Sequence, residues 1–301
     1  MRSGPSPTAS PCANVAARTA KLGLSLAGMV AGMDGAGLRA TLARSAAGEA
    51  IKTAARAGVT LFDSPEGGEP LLGATTDARF MLHISAVGPG PDQLEGRFSL
   101  ARARLAHQNT PHLLLDGVRL LADDGDALWS AALRLGETGA CTTLGIVVAP
   151  GGDAVGLAKR FKPEVMQVCS GLLDQRLIHS GALGEIAAAG IEVQIRTALL
   201  HGLLFLPREG LPPALAEAGP QVSRVRRMIA EAGADPLQAA LAFALDRPEA
   251  SGVIVEASSV GEVRAILAAA SAPSPQLDWP ALALDHPAAL DAEAQLSRYA
   301  A

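Results

Sequence analysis

The sequence predicts an α/β protein folded as a (β/α)8 TIM barrel, because short apolar segments alternate with helical patterns eight times along the chain. One unit is especially clear: the apolar run Val165–Val168 follows Pro163, and Ile191–Ile195 is a second apolar run after Gly190. Between them, Leu177–Ala189 has the apolar spacing of a helix with one buried face. Such a strand–helix–strand crossover is the unit of parallel sheets. An open doubly wound sheet is the structural alternative.

The other units follow in chain order, each built on a short apolar run that Gly, Pro or polar residues delimit. The remaining predicted strands are Leu22–Leu26, Val59–Phe62, Phe80–Val87, His112–Leu115, Leu144–Val148 and Gly252–Val255. The remaining predicted helices are Ala47–Ala57, Leu94–Leu105, Ala127–Leu135, Ala154–Arg160, Pro236–Leu245 and Val260–Ala270. Pro220–Gly233 is predicted as an inserted helix, since it interrupts the alternation.

A chain of 301 residues is long enough for one barrel with an additional segment at each end. Residues 1–20 are polar, contain Pro5, Pro7 and Pro11, and are predicted to be a disordered tail. The barrel is assigned to residues 21–270. Residues 271–301 are predicted as a C-terminal tail or helix that packs on the barrel.

Composition argues against several classes of function. The net charge is -5 and no run of Lys or Arg could follow a phosphate backbone, so no nucleic-acid partner is expected. The densest basic spot, at residues 224–227, is interpreted as a solvated helix face. No apolar stretch reaches the length of a membrane span or signal peptide, and Cys12, Cys141 and Cys169 form no metal or disulfide pattern. We therefore expect a cytoplasmic protein with no membrane insertion and no metal.

The stretch from Phe161 to Phe205 resembles the sixth and seventh strands of the aldo-keto reductase superfamily. The matching residues are Gln167, Leu172, Leu173, Asp174, Arg176, Gly190, Ile191, Arg196, Leu199, Gly202, Leu203 and Leu204. The resemblance extends over residues 20–270 and is strongest at 57–73, 161–205 and 236–262. It implies an aldo-keto reductase-like barrel that holds a nicotinamide dinucleotide at the carboxyl ends of its strands.

The catalytic groups of that superfamily are a Tyr that protonates the substrate, a Lys held by an Asp, and a His. The segment GVTLFDSPEGGEPLLG resembles the second-strand motif and retains Asp63, but Glu66 and two glycines occupy the turn of the Tyr. The only tyrosine of the chain is Tyr299. Ala86 stands at the Lys position and Asp116 at the His position. The resemblance therefore implies a pseudoenzyme with a remnant Asp63 and no ordinary carbonyl reduction.

The carboxylates at the predicted barrel mouth allow two interpretations. In one, Asp63 and Asp116 face each other and share a proton, as a pair for acid–base work, with Glu66 as a possible third member. In the other, Asp63 is a relic beside a solvated Asp116. An active oxidoreductase that uses a protonated Asp63 or Asp116 as an unconventional acid is the alternative function.

The resemblance assigns a set of residues to the cofactor, namely Gln167, Arg196, Thr197, Leu199, Gly202, Ser258, Ser259 and Glu262. Val147 and Val148 stand where the family has a Ser-Asn pair that binds the carboxamide of the nicotinamide ring. Glu256 replaces a Gly in the adenosine loop, and no Lys or Arg precedes Arg264 there. Because Glu256 would repel a 2′-phosphate, NAD(H) is expected rather than NADP(H). A merely structural loop with no cofactor is the alternative.

A barrel that binds NAD(H) without turnover could act as a sensor that regulates protein partners. One inactive member of the superfamily, a regulator of bacterial cell division, fits this description. The resemblance then implies two partners, the tubulin-like division protein and a sensor histidine kinase. A scaffold that binds no ligand is a further alternative.

Overall fold

The computed structural model describes residues 17–30, 38–74, 79–84, 90–105, 111–206, 210–211 and 213–291. Most of the predicted N-terminal tail, the last ten residues with Tyr299, and Ala86 at the Lys position all lie outside the described residues. Residues 17–21, at the end of that predicted tail, are helical. Arg18 is buried there, and its guanidinium donates to the carboxylate of Asp246 over 2.6 and 2.8 Å.

Eight parallel strands form a closed barrel in the order of the chain. The strands are β1 Leu22–Ser25, β2 Leu61–Ser64, β3 Arg79–Ile84, β4 His112–Asp116, β5 Leu144–Val147, β6 Val165–Cys169, β7 Glu192–Arg196 and β8 Ala250–Glu256. Closure comes from β1, which pairs with β2 on one side and with β8 on the other. The predicted (β/α)8 barrel is confirmed, and the open doubly wound sheet was wrong because β1 leaves no free edge.

Helices connect the strands on the outside. The α-helices are Ala27–Val30, Leu38–Arg56, Pro91–Leu105, Gly117–Leu120, Gly125–Glu137, Ala154–Phe161, Arg176–His179, Ala182–Ala188, Gly219–Glu231, Pro236–Leu245, Val260–Ser271 and Pro287–Leu290. Short 3-10 helices span Glu69–Ala74, Leu200–Gly202, Pro213–Ala218 and Trp279–Leu282. Among the described residues, no helix has both the length and the apolar character needed to cross a bilayer.

Two helices differ from the sequence prediction. The helix expected from Ala47 begins at Leu38, because the preceding residues are mostly Ala, Leu and Arg, which favour helix. The helix expected over Leu177–Ala189 is divided at Gly181, whose φ of 76° is a left-handed conformation that interrupts a right-handed helix. The crossover from β6 to β7 is present both in the sequence prediction and in the structure.

The barrel interior is filled by six buried side chains, which are Leu61, Met81, Leu114, Val147, Val165 and Ile254. Glycines make room for them. A Cβ at Gly145 would lie 2.4 Å from both Leu114 Cδ2 and Val165 Cγ1. A Cβ at Gly252 would lie 3.1 Å from Leu61 and 3.3 Å from Gln194 Cγ, which places Gln194 on the inner face as well. The interior is therefore a packed core, with its polar groups nearer the carboxyl ends of the strands.

The segment after residue 271 crosses from the last helix to the loops that follow β6. The backbone N–H of Leu284 donates to the carbonyl of Leu173 over 2.9 Å, and Gln175 Nε2 donates to the carbonyl of Trp279 over 2.7 Å. The Trp279 ring packs on Phe243, with ring centroids 5.6 Å apart. Trp279 thus fastens the tail to the outer wall of the barrel.

Candidate functional site

The carboxyl ends of the strands meet at one mouth of the barrel, where parallel barrels place their binding sites. Side chains alternate between the inside and the outside of each strand. Counted in steps of two from the interior side chains, the inner face toward this mouth carries polar residues from six strands, namely Ser25, Asp63, Asp116, Gln167, Arg196 and Glu256, together with Val147 of β5 and Cys169 of β6. The sequence brings three acidic groups, one amide and one guanidinium to the same end of the barrel.

A buried polar group joins β2, β6 and β7 just below the mouth. Gln167 Nε2 donates a hydrogen bond of 3.2 Å to Asp63 Oδ1 and another of 3.2 Å to Gln194 Oε1. Asp63 is 6%, Gln167 1% and Gln194 0% exposed. Asp63, which the resemblance interprets as a catalytic remnant, therefore contacts Gln167, which the resemblance assigns to the cofactor.

Gln194 was missed by the sequence analysis. It lies in the predicted strand Ile191–Ile195, where an apolar run concealed it. The available signal was that a Gln in the middle of a buried strand needs a hydrogen-bond partner. Its Oε1 has that partner in Gln167, whereas its Nε2 is buried with no partner among the described residues.

The turn after β2, where the resemblance places a Tyr, contains Glu66, Gly67 and Gly68. Both guanidinium N–H groups of Arg97 that face Glu66 donate to its carboxylate, which draws Glu66 toward the helix Pro91–Leu105. Gly67 has a φ of 95° and donates its backbone N–H to Glu69 Oε2 over 3.0 Å. Glu66 therefore serves as the partner of a cation on the neighbouring helix.

Asp116, at the His position, caps a helix. Its Oδ1 accepts from the backbone N–H of Val118 over 3.0 Å at the start of Gly117–Leu120. Asp63 and Asp116 are thus each bound by a separate neutral donor. Among the described residues, no cluster of three or more His, Cys, Asp or Glu side chains could hold a metal ion.

The ends of β5 and β6 are apolar or tightly packed. Val147 and Val148 are buried, and their side chains offer no hydrogen bond where the family has its Ser-Asn pair. The backbone N–H of Val148 donates to the carbonyl of Gln167 over 2.8 Å. A Cβ at Gly171 would lie 2.9 Å from the carbonyl oxygen of Ala198, so this close approach of two backbone segments requires a glycine.

The loop after β7 has an unusual backbone. Thr197, Leu200, His201 and Gly202 have φ values of 61°, 43°, 49° and 81°. The first three carry side chains that disfavour this left-handed region, and such strain concentrates at ligand sites. Thr197 Oγ1 is also buried with no hydrogen-bond partner among the described residues. This loop contains Thr197, Leu199 and Gly202, three of the residues that the resemblance assigns to the cofactor.

The loop after β8 begins the helix Val260–Ser271. Ser258 donates from its hydroxyl to Glu262 Oε1 over 2.8 Å and from its backbone N–H to Oε2 over 2.7 Å. Glu262 in turn donates its backbone N–H to Ser259 Oγ over 3.2 Å. These three residues cap the helix. Just before them, Glu256 is exposed at the end of β8.

The eight residues assigned to the cofactor come from adjoining strands and loops. Gln167 and Arg196 lie on β6 and β7, the loop of Thr197, Leu199 and Gly202 follows β7, and the loop with Ser258, Ser259 and Glu262 follows β8. Two features fit a dinucleotide. Both amide hydrogens of Gln167 are directed inward, which leaves Oε1 to accept from a ligand, and the unpaired Thr197 hydroxyl is a further polar group.

A groove of about 670 Å³ lies at the opposite end of the barrel, lined in part by Lys162, Glu164, Glu185 and Glu192. It is bordered by the helices Ala154–Phe161 and Ala182–Ala188 and lies at the amino ends of β6 and β7. The groove shares none of the residues assigned to the cofactor.

Solved structures with the same architecture identify the fold. The apo form of aldo-keto reductase AKR11C1 from Bacillus halodurans superposes with a TM-score of 0.65 at 19% identity, over 87% of this chain and 90% of that one. Its holo form gives 0.62 at 19% identity, over 78% and 83%. The glycerol dehydrogenase AKR11B4 from Gluconobacter oxydans gives 0.66 at 15% identity, over 85% and 88%. The chain has the aldo-keto reductase fold.

This likeness extends to the fold alone, since the sequence identities are below 20%. No protein-family model matches the chain. No curated protein matches it either. The function must therefore be argued from the residues at the mouth of the barrel.

Proposed function

We propose that this chain is a cytoplasmic aldo-keto reductase-like protein that binds NAD(H), does not reduce carbonyl compounds, and regulates protein partners according to its cofactor state. The observation that carries the proposal is the contact between Asp63 and Gln167. In this proposal Asp63, the catalytic group that the sequence retains, contacts Gln167 of the cofactor set, while Ala86 and Asp116 stand at the Lys and His positions.

The proposed binding of NAD(H) rests on Gln167, Arg196 and the loop that follows β7. Gln167 would hold the carboxamide of the nicotinamide ring through Oε1, and Thr197, Leu199 and Gly202 would form the pyrophosphate loop. Ser258, Ser259 and Glu262 would border the adenosine. The exposed carboxylate of Glu256 at the end of β8 supports NAD(H) over NADP(H), because it would repel a 2′-phosphate.

The proposed lack of carbonyl reduction rests on the acidic residues that remain near the mouth of the barrel. Bound NAD(H) supplies or accepts a hydride, and carbonyl reduction also needs a proton donor near the substrate. Asp63 is held by Gln167, Asp116 caps a helix, and Glu66 is paired with Arg97. Each of these carboxylates thus accepts a hydrogen bond within the protein, and in this proposal none of them replaces the missing Tyr as proton donor.

The regulatory part follows the cell-division regulator KidO, an inactive aldo-keto reductase-like protein that binds NAD(H); this chain, with the catalytic Tyr, Lys and His replaced, resembles that description. The proposed partners are accordingly the tubulin-like division protein and a sensor histidine kinase. Cofactor binding would order the loops after β7 and β8 and so bias a surface toward or away from these partners.

Calorimetric titration of the full-length protein with NADH, NAD and NADPH tests the proposed cofactor binding. We expect saturable NADH or NAD binding and weaker NADPH binding, and no binding of any of the three overturns the proposal. Sedimentation with polymers of the tubulin-like protein tests the proposed regulation of a protein partner. The amount of this chain in the pellet should change when NADH is added, and an amount that NADH leaves unchanged contradicts cofactor-dependent regulation.

A further inference from the structure

The side-chain amide of Gln167 is clamped between two acceptors inside the barrel. Its Nε2 atom donates to Asp63 Oδ1 and to Gln194 Oε1, each over 3.2 Å, and all three side chains are buried. Turning the amide over would place its carbonyl oxygen against two other oxygens. Such contacts are strongly repulsive in a buried site of low dielectric constant, so only one orientation of Gln167 is stable.

Burying Gln194 lowers the stability of the fold unless the hydrogen bond that its side-chain oxygen accepts is required. It is fully buried, and its Nε2 atom has no partner among the described residues. A buried amide nitrogen with no acceptor destabilises a fold, and an apolar side chain of similar length would avoid that cost. We therefore assign the role of Gln194 to its side-chain oxygen, which is the second acceptor that fixes the orientation of the Gln167 amide.

We infer that Asp63 and Gln194 are positioning residues that set the ligand specificity of the mouth. They hold Gln167 with Oε1 free to accept, so that the site selects a ligand whose ring carries a primary carboxamide with an N–H to donate. This inference rests on the proposed NAD(H) function. It also gives Asp63 a role in a chain whose sequence has Ala86 at the Lys position.

Three ligands separate this specificity from binding in general. NADH carries the carboxamide. The acetylpyridine analogue of NADH has a methyl group in place of the amide nitrogen and cannot donate, and ADP-ribose lacks the ring altogether. Calorimetric titration of the full-length protein should give NADH an affinity about tenfold higher than that of the acetylpyridine analogue, the size of one hydrogen bond.

The variants test which residues produce that preference. Gln194→Met keeps the length and removes the acceptor, so the tenfold preference should fall to about twofold or less, with the ADP-ribose affinity unchanged. Gln194→Glu keeps an acceptor and should keep the preference. Asp63→Leu removes the other acceptor and should also lose it, whereas Asp63→Asn, which retains an oxygen, should not. If Gln194→Met does not fold, the comparison of Asp63→Leu with Asp63→Asn tests the inference.

The outcomes distinguish this inference from the proposed function. Binding of NADH by the wild-type chain with no preference over the acetylpyridine analogue overturns the inference and leaves NAD(H) binding intact. A preference that survives in both Gln194→Met and Asp63→Leu also overturns it. Failure of the wild-type chain to bind NADH or ADP-ribose overturns both.

Discussion

Asp63 on β2 accepts a hydrogen bond from Gln167 on β6 across the interior of the barrel, with 3.2 Å between Oδ1 and Nε2. The resemblance to aldo-keto reductases places Asp63 at the position of the Asp that holds the catalytic Lys. The contact therefore links Asp63 to a residue of the proposed cofactor site.

The choice of cofactor should change when Glu256 is replaced. Glu256→Lys puts an ammonium group at the exposed end of β8, where the carboxylate would repel a 2′-phosphate. We expect the affinity for NADPH to rise about tenfold and that for NADH to change by less than about threefold, as measured by calorimetric titration. Glu137→Lys makes the same change of charge at the exposed end of an outer helix and should alter neither affinity. Equal effects of the two variants would place Glu256 away from the phosphate.

The ion pair beneath the C-terminal tail should matter for stability. Arg176 donates to the carboxylate of Asp174 over 2.8 and 2.9 Å and also pairs with Asp291 over 2.8 Å. The Asp174 side chain is only 4% exposed, so Arg176→Met leaves a buried charge with no cation. Since Arg176 is itself 37% exposed, we expect a loss of about 2 kcal/mol in the free energy of unfolding, at the low end for such pairs.

Urea denaturation measures that loss. Arg227→Met removes an exposed cation 3.8 Å from Glu231, one helical turn away, and should change the free energy of unfolding by less than about 0.5 kcal/mol. A similar loss in both variants would show that Asp174 does not depend on Arg176.

The pair of Arg18 and Asp246 should make stability depend on acidic pH. Burial alone would raise the pKa of Asp246, but hydrogen bonds from Arg18 and Ser274 and the nearby positive charges outweigh it and hold the pKa below its usual value. A carboxyl with a lowered folded-state pKa contributes stability above its unfolded pKa of about 4, and the contribution is lost as the pH falls through the folded pKa.

Asp246→Asn removes that titration. We expect the free energy of unfolding of the wild-type chain to fall more steeply than that of Asp246→Asn as the pH is lowered from about 5 to 3, by up to one proton per molecule. Denaturation curves across this range measure the slopes. Asp123→Asn, at an exposed position, is the control for the change of charge. Parallel curves for the wild type and Asp246→Asn would contradict the lowered pKa.

Gly145 should be required for packing of the barrel interior. A Cβ there would lie 2.4 Å from side-chain atoms of Leu114 and Val165, so Gly145→Ala should destabilise by about 1–3 kcal/mol. Gly48 lies within the helix Leu38–Arg56, and a Cβ there would meet nothing within 4 Å. Gly48→Ala should therefore stabilise by about 0.5–1 kcal/mol, and thermal or urea denaturation of the two variants should give opposite signs.

The sequence predicts the fold well because each strand is an apolar run that Gly, Pro or polar residues delimit. Helix limits are less certain where they depend on continued helix-forming residues, as before Ala47, or on a single left-handed residue such as Gly181. Neither effect changes the apolar periodicity on which the prediction was based, so both left the topology unaffected.

The candidate site is only partly predictable. The residues of the cofactor set were assigned by resemblance and stay a prediction, whereas their hydrogen-bond partners depend on packing between distant segments. Glu66 and Arg97 are 31 residues apart, and Gln167 and Asp63 are 104 apart, so no local spacing indicates either contact. Gln194 was missed because the strand around it is apolar, and its contact with Gln167 depends on the register of β6 against β7, which the sequence does not specify.

The central proposal is that this barrel binds NAD(H) and does not use it to reduce carbonyl compounds. The most direct test mixes the full-length protein with NADH, establishes saturation from the change in nicotinamide fluorescence, and then follows NADH absorbance after aldehydes, ketones and quinones are added. We predict saturable binding and NADH loss no faster than in buffer. Absence of binding, or saturable consumption of NADH with any of these carbonyl compounds, would contradict the account.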